Sequence, residues 1–180
     1  MKEKLLADAK KTKIFKVVSK IDDGTIGFNP VGINSPDWVS IIVEKDGKFL
    51  VESQLRYGIM ANCEEFPCGM VENNEKPLAA AKRELEEETG IQVNAKSIRS
   101  LGKLAANPAF MNNYMHYFYV NLNECQYDVV STKFDEHEKL TSYWKNKDDV
   151  ISDYVKANGS VFLAGALWML CYNSAVDCSK

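Results

Sequence analysis

The sequence predicts an α/β fold, a mixed β-sheet covered by helices, on three observations. Short segments rich in β-branched and aromatic residues stand before, between and after two helical regions, an arrangement that suits neither a helical bundle nor an all-β sandwich. The dipeptide Asp46-Gly47 joins two apolar runs and tolerates the positive φ angles of a tight hairpin turn. The stretch from Pro77 to Gly90 carries proline at a first helical position and glycine just past a helix end.

In chain order, strand segments occupy residues 13–19, 25–31, 38–44 and 48–54, the last two forming the hairpin. A first helix covers 77–89. Further strands are expected over 98–104, over the aromatic-rich 114–120 and over 139–144. The C-terminal region predicts a helix over 147–157, a break at Asn158-Gly159, and a helix over 160–173. No linker-like, repetitive or low-complexity stretch interrupts the chain, so residues 1–180 are expected to form one domain.

Composition excludes several classes. Against 22 Lys+Arg stand 25 Asp+Glu, a net charge of -3, which gives no electrostatic footprint for a nucleic acid or an anionic membrane. Five cysteines without a CxxC pair indicate neither a disulfide framework nor a four-cysteine zinc site, and a reduced cytoplasmic setting is the simpler expectation. The N-terminus runs straight into charged residues with no apolar signal segment. The longest apolar run, the 11 residues 161–171, falls short of the ~20 that span a bilayer and reads as a buried helix.

The first helix concentrates acid. With Leu78 at 0° and about 100° per residue, Leu85, Thr89 and Ala81 fall near ~340°, ~20° and ~300°, a stripe expected to face the core. Glu87, Glu84 and Glu88 fall near ~180°, ~240° and ~280°, while Glu86 points elsewhere, near ~80°. Glu84 and Glu88 stand four apart, where like charges destabilise a helix by a few tenths of a kcal/mol. A divalent cation would compensate them, because hard carboxylate oxygens suit Mg²⁺ or Mn²⁺. A solvated acidic face is the alternative for such a helix taken alone.

The surrounding residues favour the cation. From Gly69 the chain has five residues, Glu75, seven residues, then Arg83-Glu84-Leu85-Glu86-Glu87-Glu88-Thr89-Gly90-Ile91. This fills every position of the pattern G-x5-E-x7-R-E-U-x-E-E-x-G-U, with U aliphatic. At usage of ~5–7% per residue type, chance agreement at its fixed positions is on the order of one in a hundred million. The chain resembles the Nudix hydrolase family, whose members cleave a nucleoside diphosphate linked to a further group with the help of divalent metal.

The resemblance implies an α/β/α sandwich with a mixed β-sheet and a loop-helix-loop catalytic motif. By position it makes Glu84, Glu87 and Glu88 metal ligands, gives Arg83 and Glu75 a supporting ion pair between loop and helix, and puts Leu85 and Ile91 in the core. Gln54-Leu55-Arg56-Tyr57-Gly58 and Glu65-Phe66-Pro67-Cys68-Gly69 are similar to the ADP-ribose pyrophosphatase-like, nucleotide-sugar branch. In that branch the carbonyl before the box glycine, here that of Cys68, also coordinates metal, and Glu65 is a candidate for the same shell or for substrate. The segment Asn107 to Asn113 with His116 resembles a loop and strand of bacterial members. Asp135-Glu136-His137-Glu138 resembles an acidic loop that supplies a further ligand or the general base. Leu55 in place of Tyr or Phe, and Asn107-Pro108-Ala109 in place of Ser-Pro-Gly, depart from the branch where substrate identity is decided.

The resemblance implies Mg²⁺ (or Mn²⁺) as cofactor and ADP-ribose or a related nucleoside diphosphate sugar as substrate, cleaved to a nucleoside monophosphate and a sugar phosphate. GDP-mannose, a dinucleotide or a nucleoside triphosphate is the alternative substrate. Glu136 or Glu138 is the candidate general base. Arg56 is a candidate phosphate or terminal-ribose contact, since guanidinium matches phosphate oxygens bidentately, with a surface salt bridge as its alternative. Tyr57, Phe66, Trp38 and Phe110 are candidate stacking surfaces, each with a core or interface role as the alternative. His116 reads as a hydrogen-bonded core residue and His137 as solvated. A non-catalytic sensing module is disfavoured because every charged box residue is retained. Relatives in the branch are often homodimers that use N-terminal strands, here within residues 1–36.

Overall fold

The structure, a computed structural model, describes residues 3–8, 16–20, 31–109, 111–132, 140–154 and 159–177. Strands β1 (Glu3–Asp8), β2 (Lys16–Lys20) and β3 (Val31–Asn34) form a separate antiparallel sheet in that order. The chain then enters the main sheet through β4 (Trp38–Lys45) and β5 (Lys48–Arg56). Asp46 and Gly47 turn between them at φ 50° and 72°, the positive angles expected of Asp-Gly.

These two strands pair only beside their turn, at Glu44 with Phe49 and Lys45 with Lys48, and then diverge. Strand β6 (Ala61–Glu65) fills the fork along β5, and β7 (Cys68–Met70) fills it along β4. Pro67 lies between them, and its carbonyl accepts the Ile41 N–H at 2.9 Å. The fork carries the residues that precede helix α1 (Pro77–Thr89). After α1 follow β8 (Ile91–Val93), β9 (Arg99–Ala105), β10 (Tyr114–Asn121), β11 (Tyr127–Val129), β12 (Leu140–Asn146), α2 (Lys147–Asp153) and α3 (Val161–Asp177). The main sheet runs β12-β5-β4-β10-β9. The pair β4 and β10 is parallel and the other neighbours are antiparallel, so the sheet is mixed as expected.

Strand alternation separates two cores. Val39, Ile41 and Val43 of β4 pack with Phe118, Val120, and Ala80, Ala81 and Leu85 of α1. On the opposite face Ile42, Phe49, Val51, Met115 and Tyr117 pack with Val150 of α2 and Leu163, Ala166 and Met169 of α3. Helix, sheet and helix form the expected α/β/α sandwich. Gly165 lets α3 lie against Tyr117, whose hydroxyl a Cβ would overlap.

Several expectations need correction. Strand 13–19 is realised as β2 at 16–20, and of 25–31 only the last residue falls in a described strand, residues 21–30 lying outside the described set. Strands β1, β6, β7, β8 and β11 were not expected. The helix expected over 147–157 is described to Asp153, with 155–158 outside the described residues. Helix α3 is buried on one face only: Val161, Trp168 and Tyr172 are exposed, with Trp168 stacked on Tyr172. In α1 the buried arc is Ala80, Ala81, Leu85 and Glu88, while Leu78 is 36% exposed. Glu88 is drawn inward by the polar partner described below, so the core arc turns toward the acidic residues and away from Leu78.

Candidate active site

Helix α1 starts at Pro77 and ends at Gly90, whose φ of 72° lets its N–H reach the Glu86 carbonyl at 2.9 Å. A Cβ at Gly90 would overlap the Val130 carbonyl oxygen. The loop 71–76 is fixed to the helix by one guanidinium. Arg83 donates Nε–H and Nη2–H to the two oxygens of Glu75 at 3.1 and 3.0 Å, and Nη2–H to the Met70 carbonyl at 2.9 Å. Glu75 also accepts the Glu72 N–H at 3.0 Å. The Arg83 hydrogen bonds hold the Glu75 carboxyl below its ordinary pKa, and Glu75 in turn holds the Arg83 charge in place. The pairing of Arg83 with Glu75 matches the loop-to-helix role that the resemblance implies for them.

Glu84 and Glu87 converge on the same guanidinium. Arg83 Nη1 lies 2.8 Å from Glu84 Oε1 and 3.0 Å from Glu87 Oε2. The Glu84 carboxylate also fills the hollow above Gly69, where a Cβ would overlap it. Glycine at 69 is therefore a matter of space for a carboxylate.

Glu88 turns inward. It is 6% exposed, and its Oε2 accepts the Cys68 N–H at 3.0 Å, so helix α1 and strand β7 meet at this carboxylate. Glu52 of β5, 4% exposed, accepts the Ser142 hydroxyl at 3.0 Å. Burial pushes the Glu52 carboxyl up to about 7. Directly across from Glu52 in the sheet stands Glu65, also buried and ion-paired to Arg56, with Arg56 Nε donating at 3.1 Å. Burial works against the Arg56 charge, but Glu65 outweighs it and the pKa stays raised. The Cys68 sulfur lies 3.6 Å from Arg56 Nη2 and 3.7 Å from Glu65. Burial, then Glu88 and Glu65, push the Cys68 thiol well above its ordinary pKa.

The fold thus brings together Glu84, Glu87, Glu88, Arg83, Glu65, Arg56 and the main chain of Cys68. Tyr57 does not join them: it is 72% exposed in the turn 57–60. Phe66 and Trp38 take their core alternative, Phe66 edge-on to Phe49 at 5.7 Å and Trp38 against Phe162 at 5.5 Å. His116 Nε2 donates a hydrogen bond to Asp37 Oδ2 at 2.8 Å; it is hydrogen-bonded as expected, but half-buried and not in the core. Phe110, Glu136, His137 and Glu138 lie outside the described residues. Cys63, Cys68, Cys125 and Cys171 are free thiols. Sequence reasoning missed Glu52 and Ser142. The signal was the parity of β5, where Glu52 stands two residues beyond the core residue Leu50 and therefore faces α1.

The donor chemistry suits a hard divalent cation: carboxylate oxygens on one helical face. A positive group, the Arg83 Nη1, already stands between Glu84 and Glu87. No three His, Cys, Asp or Glu groups are drawn to cation-holding distance among the described residues, so holding one would require these flexible side chains to turn from their present partners.

The family model for the NUDIX domain matches residues 35–163, and the chain belongs to the Nudix family. It is similar to the ADP-ribose pyrophosphatase of Bacillus subtilis (strain 168), 32% identical over 87 residues that cover 48% of this chain and 46% of that protein. It is also similar to the methanol dehydrogenase activator of Bacillus methanolicus, 30% identical over 87 residues with the same coverage. The matched stretch spans about half the length of each relative. A solved structure of an ADP compounds hydrolase superposes with a TM-score of 0.73 at 20% identity, covering 96% of this chain and 94% of that one; at that identity the likeness is one of fold. No helix among the described residues is long and apolar enough to cross a membrane.

Proposed function

We propose that the chain is a Nudix pyrophosphohydrolase that cleaves ADP-ribose, or a related nucleoside diphosphate sugar, to a nucleoside monophosphate and a sugar phosphate with Mg²⁺ as cofactor. The observation that carries this reading is the folded box itself, in which Arg83 fixes the loop through Glu75 while Glu84 and Glu87 crowd one cationic centre beside Glu88. The similarity to an ADP-ribose pyrophosphatase supports the substrate class.

Glu84, Glu87, Glu88 and the Cys68 carbonyl would hold the cation. When bound, the cation supplies charge neutralisation and Lewis acidity toward the phosphates. Arg56, oriented by Glu65, presents its remaining N–H groups to a phosphate or the terminal ribose. Tyr57 and Phe110 are proposed substrate contacts beyond it. Water attacks phosphorus, the bridging P–O bond breaks, and Glu136 or Glu138 takes the water's proton. The protein would act as a homodimer in the reducing cytoplasm, with the N-terminal strands at its interface, and sedimentation mass tests the dimer.

A panel of ADP-ribose, GDP-mannose, a dinucleotide and a nucleoside triphosphate, with products identified, tests the substrate. The reading expects AMP and ribose 5-phosphate from ADP-ribose as the fastest Mg²⁺-dependent reaction. Faster turnover of a triphosphate or dinucleotide would replace the substrate, and tight ADP-ribose binding without turnover would replace the enzyme by a sensor.

A further inference from the structure

Helix α1 packs on β4, β7, β8 and β10, and on that face the sheet runs on through β5 to the edge strand β12. There a cavity of about 270 Å³ lies between the sheet and the ribbon of β8 and β11. The sheet side supplies Leu50 and Trp144, which are cross-strand partners, and the ribbon supplies Ile91 and Val129, partners in their turn. Walls of this kind give water little to bond to, and an apolar cavity of about 150 Å³ already holds benzene. The space therefore fits a body of one or two rings.

The polar groups at the cavity decide what such a body must carry. The hydroxyls of Thr89, Ser142 and Tyr143 are already engaged. Thr89 bonds to the Leu85 carbonyl and the Ile91 N–H, Ser142 donates to Glu52 at 3.0 Å, and Tyr143 donates to Glu64 at 2.6 Å. Lys45, which also lines the cavity, differs from them. Among the described residues its ammonium forms no ion pair, and it lies over the Tyr127 ring, 5.5 Å from the ring centre. A carboxylate meeting this ammonium would make a charge-assisted hydrogen bond. Trp144, 38% exposed, offers an aromatic surface against which a planar ring can pack. One cation among apolar and aromatic walls is the reverse of the carboxylate-rich face of α1.

We propose that this cavity is a second ligand site, apart from the acidic face, that binds a small aromatic monocarboxylate, with its ring against Leu50 and Trp144 and its carboxylate on the Lys45 ammonium. The inference does not depend on the proposed reaction.

The test is calorimetry of the full chain with naphthoate as the probe, beside its neutral amide, naphthamide, and the aliphatic acid octanoate. Naphthoate should bind one to one with a Kd at or below about 1 mM, the range open to a ligand of this size. Naphthamide should bind about tenfold more weakly, since it lacks the charge that Lys45 meets, and octanoate should bind more weakly than naphthoate because it has no ring to pack on Trp144. Lys45→Met should weaken naphthoate binding about tenfold and leave naphthamide unchanged, while Lys45→Arg, which keeps the charge, should stay within about threefold of the parent. Thermal melting checks that each variant is folded. If Lys45→Met does not fold, Trp144→Ala carries the test: weakened binding of naphthoate and naphthamide alike supports the site, and unchanged binding overturns it. The proposal is also overturned by the absence of saturable naphthoate binding, by parental affinity in Lys45→Met, or by naphthamide or octanoate binding as tightly as naphthoate.

Discussion

Glu64 and Glu65 are neighbours on β6, almost equally buried, and they face opposite sides of the sheet. On the α3 side Glu64 receives Lys145 Nζ at 2.9 and 3.0 Å and the Tyr143 hydroxyl at 2.6 Å. On the α1 side Glu65 pairs with Arg56, and Glu75, Glu84 and Glu87 pair with Arg83, while Glu52 stands across from Glu65 in the sheet and Glu88 accepts the Cys68 N–H. In the first arrangement one ammonium ion and one hydroxyl meet Glu64, with Asp153 farther from the ammonium at 3.9 Å. The second concentrates negative charge. A buried carboxylate matched by the protein's own cation fixes a fold, while an acidic surplus on one face suits a positive ligand.

Substitution on the two faces should therefore fail differently. The largest effect is expected on the acidic side: Glu88→Gln or Glu87→Gln should lower kcat for Mg²⁺-dependent ADP-ribose hydrolysis about a thousandfold, a loss of several kcal/mol of charge stabilisation, with the melting temperature little changed. Gly69→Ala should come next. Its Cβ displaces the Glu84 carboxylate, and Mn²⁺ affinity measured by calorimetry should drop about 10–100-fold.

On the other side Glu64→Gln leaves the Lys145 ammonium without its carboxylate. Partly exposed, with Asp153 at 3.9 Å, that ammonium should cost about 2–3 kcal/mol of stability, or about 4–12 °C in melting temperature for a chain of this size. Its kcat at a temperature where it is folded should match the parent. Smallest of all, Glu86→Gln, on the same helix but outside the acidic arc, should leave kcat within about twofold, since surface substitutions are usually near neutral. A thousandfold loss in Glu86→Gln would mean that helix acidity as a whole, and not the face, matters.

The acidic face was legible because its residues lie within one helix turn or two of each other and because Gly69, Glu75, Arg83 and Gly90 are local devices. The hairpin at Asp46-Gly47 was legible for the same reason. What escaped depends on distant partners. Strand β6 carries Asn62, Glu64 and Glu65, Pro67 separates it from β7, and the stretch lacks the alternation of a strand; their pairing is imposed by the fork between β4 and β5. Lys145 finds Glu64 across 81 residues and Ser142 finds Glu52 across 90, separations at which sequence spacing carries no geometry. Wheel arithmetic sets Leu78 in the core arc because it weighs apolarity alone, whereas in the fold the glutamate Glu88 is drawn into the interior and Leu78 is left half-exposed.

The most direct measurement follows AMP release from ADP-ribose by the parent chain, Glu88→Gln and Glu64→Gln, each with Mg²⁺ and with a chelator, below the melting temperature of all three. The account predicts turnover in the parent and in Glu64→Gln that the chelator abolishes, and turnover in Glu88→Gln reduced about a thousandfold. Equal turnover in Glu88→Gln and the parent, or turnover that survives the chelator, would contradict it.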